Sequence, residues 1–382
     1  MLIFNKPLPL SLYIHLPWCV RKCPYCDFNS HEIKADLPQE LYVNAICDEF
    51  IQQLPLLNNR PVKSIFFGGG TPSLFSAHSI ANILDHIAAH CSLDANAEIT
   101  LEANPGTIDQ TNFAGFRTAG INRLSLGIQS FNDDKLKILG RIHDGENARE
   151  GIRIAKKAGF SNFNLDIMYG LPQQTLAEAM HDIESALSFA PTHFSWYQLT
   201  IEPNTLFYKQ RPVLPVDDLI WDMQCAGQEK LQQLGYKQYE VSAYARADHE
   251  CLHNRNYWEF GDYLGIGAGA HSKITDHDKG EVWRAQQVRH PKDYLDASKR
   301  RAIEMKNVAE KDLAFEFMLN ALRLTDGVAM HLFSERTGLA ASAISHLLQQ
   351  ARERDLLVKD EKWLCASELG KKFLNDLTGI FL

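Results

Sequence analysis

Leu12-Tyr13-Ile14-His15-Leu16, then Pro17-Trp18, then Cys19-Val20-Arg21-Lys22-Cys23-Pro24-Tyr25-Cys26: an apolar run that breaks into a short loop carrying three thiols in the spacing CxxxCxxC. Each short interval turns the chain back before the next sulfur is presented, so all three can meet one metal centre. A closed structural zinc site takes four ligands, and no nearby Cys or His pair supplies the remainder. A 4Fe-4S cluster held by three cysteines keeps one iron open to a ligand that is not protein. Arg21, Lys22 and Asp27 lie among and beside the thiols, which argues against a plain buried core run.

Leu12–Leu16 is the first of six short runs rich in Ile, Phe and Leu, the others being Ser64–Phe67, Ile99–Glu102, Arg123–Gly127, Asn162–Ile167 and His193–Gln198. Between them apolar residues recur at helical spacing, as at Ile80, Ile83, Leu84 and Ile87, and at Ala148, Ile152 and Ala155. Strands alternating with helices predict βαβ units, hence an α/β fold with a parallel sheet and helices on its outer face. Polar or glycine-rich loops follow the strands: the cysteine loop, Gly68-Gly69-Gly70-Thr71-Pro72, Glu102-Ala103-Asn104-Pro105, Gly127-Ile128-Gln129-Ser130, and Asp166 to Pro172. The C-terminal ends of parallel strands share one face, where ligands bind, so these five loops are expected to converge on one site.

From about residue 217 the pattern changes. Ile220, Met223, Gly227, Leu231 and Leu234 predict a helix, followed by short strands at Tyr239–Ala243 and Tyr263–Gly267 with a turn-rich segment, Cys251–Trp258, between them. After a polar connection at Lys299–Asn307 come helices at Lys311–Leu322, Ala329–Arg336 and Ala341–Asp355, a hairpin at Leu356–Cys365 and a last helix, the outline of a winged helix. The expected organisation is 1–216, 217–306 and 307–382. From Ala309 onward nine Lys and Arg face eleven Asp and Glu, a net charge of −2 that gives the module no electrostatic footprint for DNA. A lid or a protein-contact module is the expected role.

With 45% hydrophobic and 23% charged residues among 382, the chain has the balance of an ordinary soluble globular protein able to bury a large core. Its net charge of −8 argues against phosphate-backbone binding as the main task. Asn5, Lys6, Pro7 and Pro9 interrupt any signal-peptide pattern, and no apolar run is long enough to span a bilayer. A cytoplasmic protein is expected, with peripheral membrane association and a homodimer left open. Cys47, Cys91, Cys225, Cys251 and Cys365 are scattered singly, as plain thiols of a reducing compartment would be.

Glu102 and Asp166 end apolar strands, so their carboxylates can accept hydrogen bonds from a ligand's hydroxyl groups; the alternative is capping the next helix. Gln129 adds a neutral donor and Arg141 a fixed charge suited to a small carboxylate. Consecutive glycines at 68–70 allow close approach of a ligand, or simply a tight turn; no Lys-Ser or Lys-Thr follows to make a phosphate loop. His253-Asn254-Arg255-Asn256-Tyr257-Trp258 sets an imidazole beside two aromatics, which suits a haem ligand or a loop packed on the barrel. Gly265 to Ser272 is small-residue rich, either a close-packed bend or the edge of a cofactor pocket.

These motifs, in this order from about Leu12 to the C-terminus, resemble those of the radical S-adenosylmethionine superfamily, within it the branch containing oxygen-independent coproporphyrinogen III oxidase and the HemW-type haem chaperones. The resemblance implies a partial (β/α)6 barrel with a C-terminal α-rich, winged-helix-like domain. It implies that Cys19, Cys23 and Cys26 hold a 4Fe-4S cluster, and that Tyr13, Gly69, Gly70, Thr71, Glu102, Gln129, Arg141 and Asp166 contact S-adenosylmethionine. His253-Asn254-Arg255-Asn256-Tyr257-Trp258 matches the HNxxYW block associated with haem in the HemW type. The oxidase continues its motif with a fourth cysteine where this chain has Phe28, and it has a longer N-terminal arm. Both departures favour haem delivery to membrane-bound respiratory haem proteins over porphyrinogen decarboxylation.

Overall fold

A computed structural model describes residues 2–34, 36–107, 110–300 and 304–382. All six apolar runs lie in strands: β1 (Leu10–Leu16), β2 (Val62–Gly69), β3 (Leu93–Ala103), β4 (Arg123–Gln129), β5 (Phe163–Tyr169) and β6 (His193–Gln198). Each pairs in parallel with the next. Helices α1 (Gln39–Leu57), α2 (Ala77–His90), α3 (Gln110–Ala119), α4 (Gly145–Lys157) and α5 (Leu176–Leu187) make the crossovers, and α6 (Asp217–Gln233) follows β6. The apolar faces expected of α2 and α4 are the buried ones. Their starts are set locally: Ser76 caps α2, while Asp144 and Thr175 form capping boxes on α4 and α5.

Covered on both faces, β1, β4 and β5 are buried almost throughout, as parallel strands tend to be. In β1, β4 and β5 the single incompletely buried residue is Tyr13, Gly127 and Asp166 respectively, each on the concave side. Neighbouring strands sit about 4.8 Å apart, so a flat sheet would hold β2 and β6 roughly 19 Å from each other. Thr71 after β2 and Tyr197 of β6 nevertheless line one cavity, which requires the sheet to curl.

Residues 217–306 extend this same sheet at both edges. β7 (Lys237–Glu240) and β8 (Ala243–Ala245) add antiparallel strands beyond β6; β9 (Asp262–Ile266) runs parallel to β1, followed outward by β10 (His271–Asp276), β11 (Glu281–Gln286) and β12 (Glu304–Asn307). The twelve-stranded order is β12-β11-β10-β9-β1-β2-β3-β4-β5-β6-β8-β7. Two sequence expectations are corrected. The strand read at Tyr239–Ala243 is a hairpin, broken by a turn at Val241-Ser242. The segment read as turn-rich is helix α7 (Leu252–Trp258). Its two asparagines are poor helix formers, but Glu98 of β3 accepts the His253 N–H at 3.2 Å, and His253 and Asn256 are buried beneath the helix. Part of the connection expected at Lys299–Asn307 lies outside the described residues.

The C-terminal part holds helices Glu310–Ala321, Met330–Thr337 and Ser345–Glu353. A wing folds back so that Trp363–Leu364 pairs with Val328–Ala329. Its apolar core, with Phe317, Phe333 and Leu348, takes in Leu2 and Phe4 from the other end of the chain and Phe260 from beside α7. No helix among the described residues is long and apolar enough to cross a membrane.

The end of β2 meets the loop after β1 with no room to spare. A Cβ on Gly70 would lie 2.5 Å from the Trp18 carbonyl oxygen. Gly70→Ala is therefore expected to cost about 1–3 kcal/mol and to displace the cysteine loop, read as a lower Tm and reduced iron after reconstitution. Gly379→Ala, with nothing within 4 Å, should leave both unchanged.

Candidate cluster and cofactor site

The cysteine loop is closed on itself and bolted to its surroundings. Cys26 N–H donates to Cys23 O at 3.1 Å, Ile33 N–H to Cys19 O at 2.9 Å, and the Lys22 ammonium donates to Phe28 O and Ser30 O. Trp18–Cys19 and His31–Glu32 pair as a two-residue ladder. From the next strand, Gly70 N–H reaches Leu16 O at 2.8 Å and Thr71 N–H reaches Trp18 O at 2.7 Å. From beyond β6, Phe207 N–H reaches Pro24 O at 2.9 Å.

Cys19, Cys23 and Cys26 are half-buried free thiols lining one cavity of about 420 Å³. Burial pushes the Cys19 and Cys26 thiols up, partly offset by hydrogen bonds from Thr71 and Ser30 to Cys19 and from Phe28 and Ser30 to Cys26. Among the described residues no histidine and no fourth cysteine lines this cavity. Among the described residues no three His, Cys, Asp or Glu side chains are grouped to hold a metal ion. Thiols spread around a common cavity suit a polynuclear cluster, in which each thiolate meets its own iron.

The other walls come from successive strand ends. Gly69 ends β2 and Gly70 and Thr71 follow it, Glu102 is the last residue but one of β3, Gln129 ends β4, Asp166 lies in β5, and Arg141 enters from the β4–α4 connection. The glycines serve chain packing as well as the cavity, since Gly69 has φ +112° with the His15 ring 2.5 Å from where a Cβ would be. Gln129 has φ +69°, strained for a residue with a side chain, at a register shift between β4 and β5. Tyr197 of β6 holds it by donating to Gln129 Oε1 at 2.5 Å.

The charges fit a small zwitterion carrying an additional cation. Arg141 donates through Nη2 to Gly127 O at 2.6 Å and reaches Cys23 Sγ through Nη1 at 3.7 Å, while its buried Nε has no protein partner. Its guanidinium lines the cavity, where its fixed positive charge can meet a carboxylate. Glu102 accepts the Gly69 N–H at 3.2 Å, and burial, then the nearby Asp166 carboxylate, push it up to about 8. Burial also raises Asp166, against hydrogen bonds from Asn164, Ser195 and Ser125. Two acids kept in so little water would be relieved by a cationic ligand.

Two expected residues stand apart. Tyr13 lines a neighbouring cavity of about 540 Å³ that shares Phe28, Gly69 and Glu102 with the first. His253 lines neither. It is 2% exposed, Nδ1 is 3.0 Å from Ser64 Oγ, Nε2 is 3.2 Å from Tyr257 Oη, and the ring stacks on Phe66. Burial, with Arg123 nearby, pushes its pKa down to about 3. To bind iron it would have to give up a hydrogen bond and leave this cage. Residues not anticipated from sequence include Tyr25, Tyr197, Gln198 and Thr200. The last three follow from the sixth strand by the rule that drew attention to the other five loops.

A family model described as "Radical SAM superfamily" matches residues 13–186, and one described as "HemN C-terminal domain" matches 308–373. The chain is 49% identical over 378 residues to "Heme chaperone HemW" of Haemophilus influenzae, covering 98% of each. It is 46% identical over 374 residues to the protein of the same name from Escherichia coli, again covering 98% of each. Among solved structures it superimposes on Escherichia coli coproporphyrinogen III oxidase (HemN), a radical SAM enzyme, with a TM-score of 0.82 at 24% identity, covering 98% of this chain and 90% of that one. At that identity the likeness speaks for the fold alone.

Glu102 binds its proton more tightly folded than unfolded, so its ionisation costs stability progressively as pH rises from about 4.5 to about 8. Glu102→Gln removes that cost. The Tm of the cluster-free variant should match wild type in acid and exceed it above about pH 8 in thermal melts across pH.

Proposed function

Because the chain belongs to the HemW family of the radical S-adenosylmethionine superfamily, we propose that it is a haem chaperone that binds haem, a 4Fe-4S cluster and S-adenosylmethionine and passes haem to membrane-bound respiratory haem proteins. The observation that carries this reading is the pair of adjoining cavities, one ringed by three thiols and the other walled by aromatics, with Phe28 between them. Cys19, Cys23 and Cys26 would hold the cluster. Arg141 would take the carboxylate of S-adenosylmethionine, Glu102 and Asp166 its positive charge and hydroxyl groups, and Gln129, positioned by Tyr197, a further polar contact. When bound, such a cluster supplies an electron beside the sulfonium. Whether transfer of haem uses that electron is separate from holding the cofactors in place.

Phe28 is 63% exposed where the oxidase carries a thiol, and it supports a site that does not decarboxylate porphyrinogen. Val20 of the cysteine loop and Ile142 beside it, also exposed, line a small cleft and provide an apolar margin for an acceptor protein. We place the protein in the cytoplasm, with contact to the inner membrane face made through its acceptors.

Reconstituted anaerobically, wild type should bind haem and transfer it to a haem-free membrane cytochrome. Turnover of coproporphyrinogen to protoporphyrinogen would overturn the proposal. Cys23→Ser should lose the iron-sulfur absorbance. Glu102→Gln should keep the cluster but bind S-adenosylmethionine roughly tenfold more weakly by equilibrium dialysis, the loss of one hydrogen bond to a charged group.

A further inference from the structure

Three imidazoles lie around the second cavity, and they differ in what their nitrogens already do. His15 is engaged at both, with Tyr13 Oη at 3.0 Å and Asn29 O at 2.9 Å. His253 is engaged at both and does not reach the cavity. His271 is exposed, lines the cavity, and has no hydrogen bond to its ring among the described residues. Arg289 also lines the cavity and is exposed, with no carboxylate partner among the described residues. Flat side chains complete the walls: Tyr13, Tyr257, Tyr263 and Phe28.

We propose that this cavity is the haem seat, with His271 as the axial ligand to iron and Arg289 as the partner of a propionate. This rests on the haem-chaperone reading and assigns the ligand to His271 in place of His253. A porphyrin needs flat apolar walls, one free imidazole nitrogen and a cation at the rim for its carboxylates, and this cavity has each of them. The HNxxYW block then contributes through Tyr257, whose ring faces the cavity while His253 holds its hydroxyl.

His271 stands on a rigid support, as a ligand must. It opens β10 and pairs with Gln286 of β11. The turn before it is pinned from several sides: Glu49 accepts the Gly267 N–H at 2.9 Å, the Tyr42 hydroxyl accepts the Ala268 N–H and donates to His15 O, and Asn29 donates to Ala268 O and Arg289 O. The glycines of this stretch have a use here. A Cβ on Gly265 would lie 2.1 Å from His271 O, and one on Gly267 2.4 Å from His15 O. Its partial burial against the cavity wall, with Arg284 and Arg289 nearby, lowers the His271 pKa and favours the neutral, metal-binding form. Asn29 belongs to the cysteine loop, so the haem seat and the cluster loop share a hinge of hydrogen bonds.

The test is an anaerobic titration of ferric haem into the full-length, cluster-loaded protein, comparing wild type with His271→Ala, His253→Phe and Arg289→Gln, with iron content and far-UV circular dichroism as checks on folding. His271→Ala should shift the Soret band and weaken binding roughly tenfold or more, and added imidazole should restore the band. Arg289→Gln should weaken binding several-fold with the band in place. His253→Phe should keep the wild-type band position. Haem binding by wild type with an unchanged spectrum and affinity in His271→Ala would overturn the assignment while leaving the chaperone reading intact. Failure of wild type to bind haem would overturn both.

Discussion

Two backbone hydrogen bonds, from Gly70 to the carbonyl of Leu16 and from Thr71 to that of Trp18, fasten the end of β2 to the root of the cysteine loop. The rest of the site depends on this lock. Three thiols on a wandering loop could not share a metal centre, because ordering each residue costs about 1–2 kcal/mol of conformational entropy at the moment of binding. Here that ordering is largely complete in the fold, since strand, ladder and glycine contact hold the loop from three directions. Gly70 is required because the Trp18 backbone occupies the space where any larger residue would put its Cβ.

The second constraint is electrostatic. A curled parallel sheet brings the polar ends of its strands into a small volume, and Glu102, Asp166 and Arg141 sit there with little water. Carboxylates raised by burial beside a fixed guanidinium charge would suit a charged guest. By contrast, the charges beneath the barrel's other rim are mutually satisfied: Arg60, Lys273 and Asp262 form a closed cluster whose two cations hold the Asp262 carboxyl below its ordinary range.

Much of the fold and of the site was legible in the chain. The six strands were visible because fully buried parallel strands are nearly continuous apolar runs, and the cysteine loop because its spacing has few other uses. Glu102, Asp166, Gly69, Gly70, Thr71, Gln129 and Arg141 were legible as polar or glycine positions in or after the C-terminal parts of the strands, and they meet in one cavity. Tyr197, on the sixth strand, was legible by the same rule. Helix α7 was not, because its asparagines resist helix locally and its amide cap, Glu98, lies 155 residues away along the chain.

The sequence by itself determined the order of the six central strands and the helices between them, the thiol triplet and most of the residues at the functional rim, because periodicity and spacing are local properties of the chain. Only the tertiary structure decided which imidazole is free. The sequence singles out His253, yet Ser64 and Phe66 of β2, with Tyr257 of its own helix, enclose that ring. His271 is left at a cavity wall by a glycine turn packed against β1 and α1. Burial depends on the whole fold, and burial determines whether a nitrogen is spent on the protein or kept for a ligand.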